Sequence, residues 1–124
     1  MPWSVKQDPE PGLTELDCSG CLTNHDIEAT ETKALALAAE AGPGRFLKDL
    51  SKVEALDLTT LDIYYLPERW RSLQANRRNR EAILAPDSSA IMNDLLFYET
   101  VCQNRGWQVK IFSQRQDAIE WLLA

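Results

Sequence analysis

The sequence lacks several features that would assign a protein of this size to a functional class. No apolar run approaches the ~20 residues that a transmembrane helix needs, and the five glycines form no glycine-rich phosphate loop. A basic excess is also missing, since 13 Lys and Arg face 19 Asp and Glu, for a net charge of −6. These absences argue against a membrane-spanning protein, a nucleotide-binding loop and a general nucleic-acid binder.

What is present is the composition of an ordinary globular protein. The chain is 44% hydrophobic and 26% charged, which argues against wholesale disorder. A chain of 124 residues needs no disulfide or metal to form a core, so we expect one domain over residues 1–124. The N-terminal segment lacks the apolar core of a signal peptide, and a cytoplasmic location is therefore expected.

Alternating strand and helix patterns predict an α/β fold in the order β-β-α-β-α-β-α-β-α. The predicted strands are Trp3–Gln7, Leu13–Ser19, Arg45–Leu50, Glu81–Ala85 and Trp107–Phe112. A proline-rich turn over residues 8–12 should join the first two as an antiparallel edge hairpin, and Gly20 should end the second. Later strands should pair in parallel through right-handed crossovers. We expect a mixed sheet of about five strands with about four helices.

Capping residues and apolar spacing predict where the helices begin and end. Thr23 and Asp26 form a start of the capping-box type for the first helix, which the run from Gly42 to Gly44 ends. The second helix is placed from Pro67 to Gln74, because proline suits a first helical turn. A loop over residues 51–60 and a short turn near residues 59–65 precede it. The predicted caps of the last two helices are Asp87 and Ser113.

The apolar spacing of each helix also predicts which side chains face the sheet. These inward residues are Ile27, Thr30, Ala34, Leu37, Ala38 and Ala41 in the first helix, Trp70 and Leu73 in the second, Ile91, Leu95, Tyr98 and Cys102 in the third, and Ala118, Ile119, Leu122 and Leu123 in the fourth.

A stretch in the middle of the chain resembles the signature of STAS domains, the fold of anti-sigma-factor antagonists. Residues 49–61, which read Asp-Leu-Ser-Lys-Val-Glu-Ala-Leu-Asp-Leu-Thr-Thr-Leu, are similar to the pattern D-L-S-x-V-x-x-x-D-S-S-G-L. Residues 62–68, 99–106, 109–112 and 118–122 resemble the stand-alone SpoIIAA-like proteins of bacteria. This resemblance implies a SpoIIAA-like α/β fold, a regulatory or binding role without catalysis, and a homodimer.

The resemblance also singles out one hydroxyl. In the anti-sigma-factor antagonists the second serine of D-S-S-G is phosphorylated by a partner kinase, and Thr59 occupies that position here. Leu58 and Thr60 replace the first serine and the glycine. A helix N-terminus after Thr59 would favour a phosphate, whereas Asp57 and Asp62 would oppose it. Helix capping by Thr59 is the favoured alternative to a phosphoregulated switch.

The charge is unevenly distributed along the chain. Residues 1–68 carry a net charge of −8, residues 69–80 contain five arginines and no acid, and residues 81–124 carry −3. Guanidinium groups bind carboxylates and phosphates through paired hydrogen bonds. Arg71, Arg77 and Arg78 are therefore candidate anion-binding residues, and the alternative is a solvated helix end that pairs with the protein's own acids.

An aromatic group precedes the arginines. Tyr64, Tyr65 and Trp70 either complete the core or form an apolar surface for dimerisation or for a hydrophobic ligand. Taken with the arginines and Thr59, they predict a non-enzymatic module without a cofactor. It would recognise a protein partner or a small hydrophobic or anionic ligand through residues 57–80.

A pair of cysteines supports a hypothesis from another class. Cys18 and Cys21 are spaced as C-x-x-C, so a thiol-redox or metal-binding protein is the alternative. A zinc site would need two more ligands, and His25, the single histidine, lies in the first turn of a helix. Two buried or half-buried thiols are the favoured interpretation, and we predict no catalytic or metal-binding residue.

Overall fold

The computed structural model describes residues 2–8, 12–39 and 42–124. The strands are β1 (Trp3–Asp8), β2 (Leu13–Thr23), β3 (Arg45–Asp57), β4 (Arg80–Leu84) and β5 (Gln108–Phe112), and the helices are α1 (Asn24–Ala38), α2 (Thr60–Ser72), α3 (Ser89–Asn104) and α4 (Arg115–Leu123). The predicted order of elements is confirmed. Residues 9–11 of the proline-rich turn and Ala41 lie outside the described residues. Within the described ranges, none of the helices has both the length and the apolar character to cross a membrane.

The five strands form one mixed sheet in the order β1-β2-β3-β4-β5. β1 pairs with β2 in antiparallel fashion, and the remaining neighbours pair in parallel, which confirms the predicted edge hairpin. Because each crossover connects adjacent parallel strands with the same hand, α1, α2 and α3 cover one face of the sheet. We call this the three-helix face; α4 packs on the other side, which we call the α4 face.

Alternation along the strands assigns side chains to these two faces. On β2, Leu16 and Cys18 point to the three-helix face, while Leu13 points to the α4 face. On the α4 face the core contains Leu13, Leu47, Ala82, Leu84, Ala118 and Leu122.

Two strands are longer than the sequence predicts. β2 continues through Gly20 to Thr23, because Gly20 adopts a positive φ of 67° and the register with β3 shifts beside it. Such a bulge bends a strand without ending it. β3 pairs with this extension, Thr23 lying opposite Asp57. Residues 51–57, which the sequence predicts as loop, are therefore strand.

The predicted start of the second helix is wrong. α2 is one helix that begins at Thr60 and contains Pro67 in its interior, so the turn near residues 59–65 is the first part of this helix. The preference of proline for a first turn was outweighed by the capping box between Thr59 and Asp62, which sets the start earlier.

Several smaller predictions are also wrong. Ser88 caps α3 in place of Asp87, and Gln114 occupies the N-cap of α4 in place of Ser113. Leu37, Leu73 and Leu123, predicted to face inward, are at least 40% exposed. The other inward residues that the structure describes are buried or half-buried, and the capping box of Thr23 and Asp26 is confirmed.

The C-terminal end of α2 has a local conformation that favours glycine. Gln74 follows the C-cap Leu73 with φ of 57°, the one positive value at a non-glycine residue in the described ranges. A glycine there carries no Cβ penalty, so we expect Gln74→Gly to raise the free energy of unfolding by about 0.5–1 kcal/mol. Urea denaturation measures this. The control Ser72→Gly, inside the same helix, should lower it by a similar amount, and a loss of stability in both variants would contradict the assignment.

Candidate functional site

Thr59 lies at the start of the surface formed by residues 57–80, which we call the 57–80 surface. Its hydroxyl accepts a hydrogen bond from the Asp62 amide at 3.1 Å, and the Asp62 carboxylate accepts one from the Thr59 amide at 2.9 Å. The capping interpretation is therefore confirmed. Thr59 is exposed, and a phosphate on its oxygen would have to replace this cap. Phosphorylation of Thr59 stays a prediction.

The arginines that are close in sequence separate into two surfaces. Arg71 and Arg77 line a cleft of about 280 Å³ together with Arg105, Tyr64 and Trp107, and we call this the arginine cleft. Arg78 lies elsewhere, in a groove with Arg45 and Arg80. In that groove Arg45 donates to the carbonyl of Leu122 at 3.0 Å, and Arg80 donates to the carbonyls of Trp121 and Ala124 at 2.7 and 2.8 Å. Arg45 and Arg80 thus hold the C-terminal end of α4.

Two guanidinium groups of the arginine cleft are held in place by aromatic rings. Arg77 lies 3.9 Å from the ring centroid of Trp107 and donates to the carbonyl of Arg105 at 2.6 Å. Arg105 lies 4.4 Å from the ring centroid of Tyr64 and pairs with Glu68 at 3.2 Å. Arg71 is exposed, and its side chain has no hydrogen-bond or ion-pair partner within the described ranges. The cleft therefore offers fixed guanidinium groups and one free arginine.

The three aromatic candidates have different roles. Trp70 is 7% exposed and belongs to the core, where its ring meets Trp107 at 5.3 Å and Tyr98 at 6.1 Å, both edge-on. Tyr64 and Tyr65 are 43% and 57% exposed, so they form surface beside the arginine cleft.

A buried charged cluster lies beneath this surface, and the sequence analysis missed it. Lys48 of β3 places its ammonium nitrogen 3.3 Å from a carboxylate oxygen of Glu31 on α1 and 3.3 Å from one of Glu81 on β4. Trp70 donates its indole N–H to Glu31 Oε2 at 3.0 Å, and Tyr98 donates its hydroxyl to Glu81 Oε1 at 3.1 Å. These five residues, which we call the buried cluster, link three helices to two central strands.

Burial and neighbouring charges perturb the pKa values within the buried cluster. Burial alone would lower the pKa of Lys48, but Glu31 and Glu81 outweigh that effect and raise it. Burial raises the pKa of Glu81, with Lys48 opposing. Burial and the charge of Glu81 also raise the pKa of Tyr98 well above its usual value. Lys48 is therefore a cation and Tyr98 a neutral donor at physiological pH.

The sequence contains weak signals for this cluster. Glu31 falls four residues after Ile27 and three before Ala34, on the apolar stripe of α1. Lys48 lies between Phe46 and Leu50 on the same face of β3, since residues two positions apart in a strand share a face. A charged residue at an inward position of each of two elements indicates a buried pair, although spacing alone does not show that the two meet.

Two small apolar cavities flank the buried cluster. Each has a volume of about 30 Å³, enough for one or two water molecules. The first, cavity 1, lies toward α1, Trp70 and Trp107 and is lined by Glu31 and Glu81. The second, cavity 2, lies under the N-terminal half of α2, where Leu58, Ile63 and Leu66 line it with Lys48 and Tyr98. Cavity 2 is thus the apolar space directly beneath the 57–80 surface.

The two cysteines of the C-x-x-C pair lie in different environments. Cys18 is buried, as predicted, whereas the prediction is wrong for Cys21, which is exposed; both are free, as is the buried Cys102. Burial raises the pKa of the Cys18 thiol to about 11, so little of the reactive thiolate is present at neutral pH. The thiol-redox or metal alternative gains no support from this arrangement.

One group of carboxylates in the described ranges has the spacing of a metal site. Glu15, Asp17 and Asp49 bring their oxygens within 4.8 Å of one another on the α4 face. Arg115 pairs with Glu15, and Lys6 pairs with Glu15 and Asp17 at 3.4 and 3.9 Å. Two of the protein's own cations, Lys6 and Arg115, therefore already occupy this group of carboxylates and offset part of its charge.

The arrangement of strands and helices matches solved structures of one fold. No protein-family model and no curated protein sequence matches the chain. An uncharacterised DUF3478-family protein of SpoIIAA-like fold from Shewanella loihica PV-4 superimposes with a TM-score of 0.56 at 18% identity, over 97% of this chain and 91% of that one. The anti-sigma factor antagonist SpoIIAA in its unphosphorylated form superimposes with a TM-score of 0.60 at 15% identity, over 98% of both chains. The chain has the SpoIIAA-like fold.

Proposed function

We propose that this protein is a regulatory or binding module that recognises an anionic group of a protein partner or small ligand at the arginine cleft. The observation that carries the proposal is the pair of guanidinium groups held on aromatic rings beside the free Arg71. The fold supports the general role, because one solved structure of this fold is an anti-sigma factor antagonist, a regulatory protein.

The chemistry of the arginine cleft suits a phosphate or a carboxylate. Three arginines and one acid, Glu68, line it, so its formal charge is positive within an acidic protein. Stacking on Trp107 fixes the plane of the Arg77 guanidinium and leaves available the edge N–H groups that do not donate to the Arg105 carbonyl. An anion that bridges Arg71 and Arg77 would form charge-assisted hydrogen bonds to both side chains. The Arg77 side chain is already held in place by Trp107 before the anion binds.

Exposed apolar residues beside the cleft favour a protein as the carrier of that anion. Leu61 and Tyr65, one turn apart on α2, are 66% and 57% exposed, and Tyr64 meets the Tyr65 ring edge-on at 5.2 Å. Apolar contact on α2 next to a cationic cleft resembles the core and polar rim of a protein interface. A second copy of the chain is one such partner, and the homodimer stays a prediction that sedimentation tests.

A small hydrophobic ligand is the second candidate for the 57–80 surface. Cavity 2 gives it a specific location, because Leu58, Ile63 and Leu66 of this segment line that cavity. Its volume of about 30 Å³ is far below that of a drug-sized ligand site. Such a ligand would therefore have to displace the N-terminal half of α2.

Titration with inorganic phosphate, followed by NMR of the arginine and indole N–H groups, tests the arginine cleft. We expect phosphate to shift the Arg77 and Trp107 signals, and the double variant Arg71→Gln with Arg77→Gln to weaken binding at least about tenfold, because charged hydrogen bonds are lost. Added salt should weaken binding in the parent protein.

Arg78→Gln is the matched control, since Arg78 is exposed but lies in the other groove. The Arg78→Gln variant should bind phosphate with the same affinity as the parent. Equal affinity in the double variant and the parent would contradict the arginine cleft, and a loss in Arg78→Gln alone would move the site to the other groove.

A further inference from the structure

Cavity 1 is lined by Glu31, and one oxygen of that carboxylate has no hydrogen-bond partner among the described residues. Glu31 is 4% exposed, and its Oε2 accepts hydrogen bonds from Trp70 at 3.0 Å and Lys48 at 3.3 Å. Its Oε1 is buried and accepts none from any described residue. A buried acceptor without a donor costs free energy, so a donor from outside the chain would be stabilised there. Glu31 lines cavity 1 and its Oε2 already accepts two hydrogen bonds, so Oε1 is the oxygen that Glu31 has left for a donor bound there.

The walls of cavity 1 are aromatic and apolar. Trp70, Trp107 and Phe46 line it, and Leu16 and Leu35 complete the apolar wall. Ring faces attract cations and repel anions. A donor that carries a positive charge therefore suits these walls better than a neutral one, and an anion is excluded by both the rings and the carboxylates.

The charge of the buried cluster favours a cation as well. Glu31 and Glu81 share one ammonium, that of Lys48, so the ionised cluster has a formal charge of −1. Lys48 opposes a second cation, but it lines cavity 2 and not cavity 1, and Glu31 and Glu81 lie in the wall of cavity 1. Burial and the charge of Glu31 raise the pKa of Glu81 although Lys48 opposes them, so one ammonium does not balance the two carboxylates.

A surface groove leads to cavity 1. This groove of about 270 Å³ shares Leu35, Phe46, Ala75 and Asn79 with the cavity lining, and it also contains Ala38 and Leu73. Cavity 1 itself, at about 30 Å³, has the size of one or two water molecules. An ammonium group is about as large as one water, so the head of a ligand fits the cavity and an apolar stem of several carbons fits the groove.

We propose that cavity 1 and its groove bind a small primary amine, with its ammonium group on Glu31 Oε1 and its apolar stem between Leu35, Phe46 and Ala75. The carboxylate, the aromatic walls and the shared lining of cavity and groove each support this assignment. The site lies apart from the arginine cleft and takes a ligand of the opposite charge.

Three probes of equal chain length test the proposal on the parent protein. Hexylamine, protonated at pH 7, is titrated against 1-hexanol and hexanoate, and NMR follows the indole N–H signals of Trp70 and Trp107. We expect hexylammonium to shift both signals and to bind at least about tenfold more tightly than hexanol, since a hydrogen bond to a charged group is worth more than tenfold. Hexanoate should not bind.

Two variants locate the site. Glu31→Gln keeps an acceptor for Trp70 but removes the charge, and it should lower the hexylammonium affinity to that of hexanol. Ala75→Leu fills the junction of groove and cavity and leaves every charged or hydrogen-bonding side chain of the buried cluster in place, and it should abolish binding in a folded protein. Glu54→Gln, at an exposed position of β3, is the control and should bind like the parent.

The outcomes are distinct. Equal affinity for hexylammonium and hexanol would show an apolar groove without ammonium recognition and would overturn the proposal. Absence of binding by all three probes at millimolar concentration would show a cavity filled by water only. Unchanged binding in Ala75→Leu would place the amine elsewhere. The phosphate titration of the arginine cleft is independent of each of these results.

Discussion

Replacement of Lys48 by methionine should lower the free energy of unfolding by about 3–5 kcal/mol at pH 7, because it leaves buried carboxylates without their counter-charge. The Lys48 side chain is 8% exposed, and those of Glu31 and Glu81 are 4% and 10% exposed. Methionine fills a similar volume, so the expected loss is electrostatic rather than a loss of packing. Urea denaturation, monitored by circular dichroism, measures it.

Lys52→Met is the matched control, because Lys52 lies on the same strand at an exposed position and should change the free energy of unfolding by less than about 0.5 kcal/mol. A triple variant, Lys48→Met with Glu31→Gln and Glu81→Gln, neutralises the whole cluster. It keeps acceptors for Trp70 and Tyr98, so it should be more stable than Lys48→Met alone. Equal stability of Lys48→Met and Lys52→Met would show that the charge of Lys48 contributes nothing to the free energy of unfolding.

The loss in Lys48→Met should grow as the pH rises. Burial raises the pKa of Glu81 above its ordinary value of 4.5, and Lys48 is the charge that opposes this shift. Without Lys48, the folded protein binds the proton of the Glu81 carboxyl still more tightly than the unfolded chain does. Stability is then greatest below pH 4.5 and falls as the pH rises toward the folded pKa. The difference in the free energy of unfolding between Lys48→Met and the parent should therefore be larger at pH 8 than at pH 5.

The architecture was predictable because its signals are local. Thr23 and Asp26 start α1 through contacts three residues apart, and the alternation of strands with helices fixes parallel pairing through short crossovers. The wrong predictions concern elements whose ends are determined by contacts with a part of the chain that is distant in sequence. β3 continues past Leu50 because the extension of β2 beyond Gly20 pairs with it, and neither strand contains a signal for that pairing.

The candidate site was predictable only in part for the same reason. Arg71, Arg77 and Arg78 are neighbours in sequence, but Arg77 turns toward Trp107 of another element while Arg78 faces the groove beside α4. The third arginine of the cleft, Arg105, lies at the end of α3, 28 residues from the Arg77 side chain that contacts it. Composition predicts an anion site, whereas the fold determines which guanidinium groups share it.

Trp70→Ala is the second variant for which we expect a large effect, a loss of about 3–5 kcal/mol in the free energy of unfolding. Trp70 is 7% exposed, its ring packs edge-on against Trp107 and Tyr98, and its N–H satisfies Glu31 Oε2 at 3.0 Å. Alanine would remove all three contacts and join the space of the ring to cavity 1. Urea denaturation provides the measurement.

Trp70→Phe separates packing from hydrogen bonding. Phenylalanine keeps an aromatic ring but cannot donate to Glu31, so we expect a smaller loss of about 1–3 kcal/mol. Tyr65→Ala, on the same helix and 57% exposed, is the control and should lie within about 0.5 kcal/mol of the parent. If Trp70→Ala were as stable as Tyr65→Ala, the assignment of Trp70 to the core would be wrong. Because the indole connects α2 to Glu31 of α1, a large loss in Trp70→Ala and a partial one in Trp70→Phe would instead show that both the ring and its hydrogen bond anchor α2 to the core.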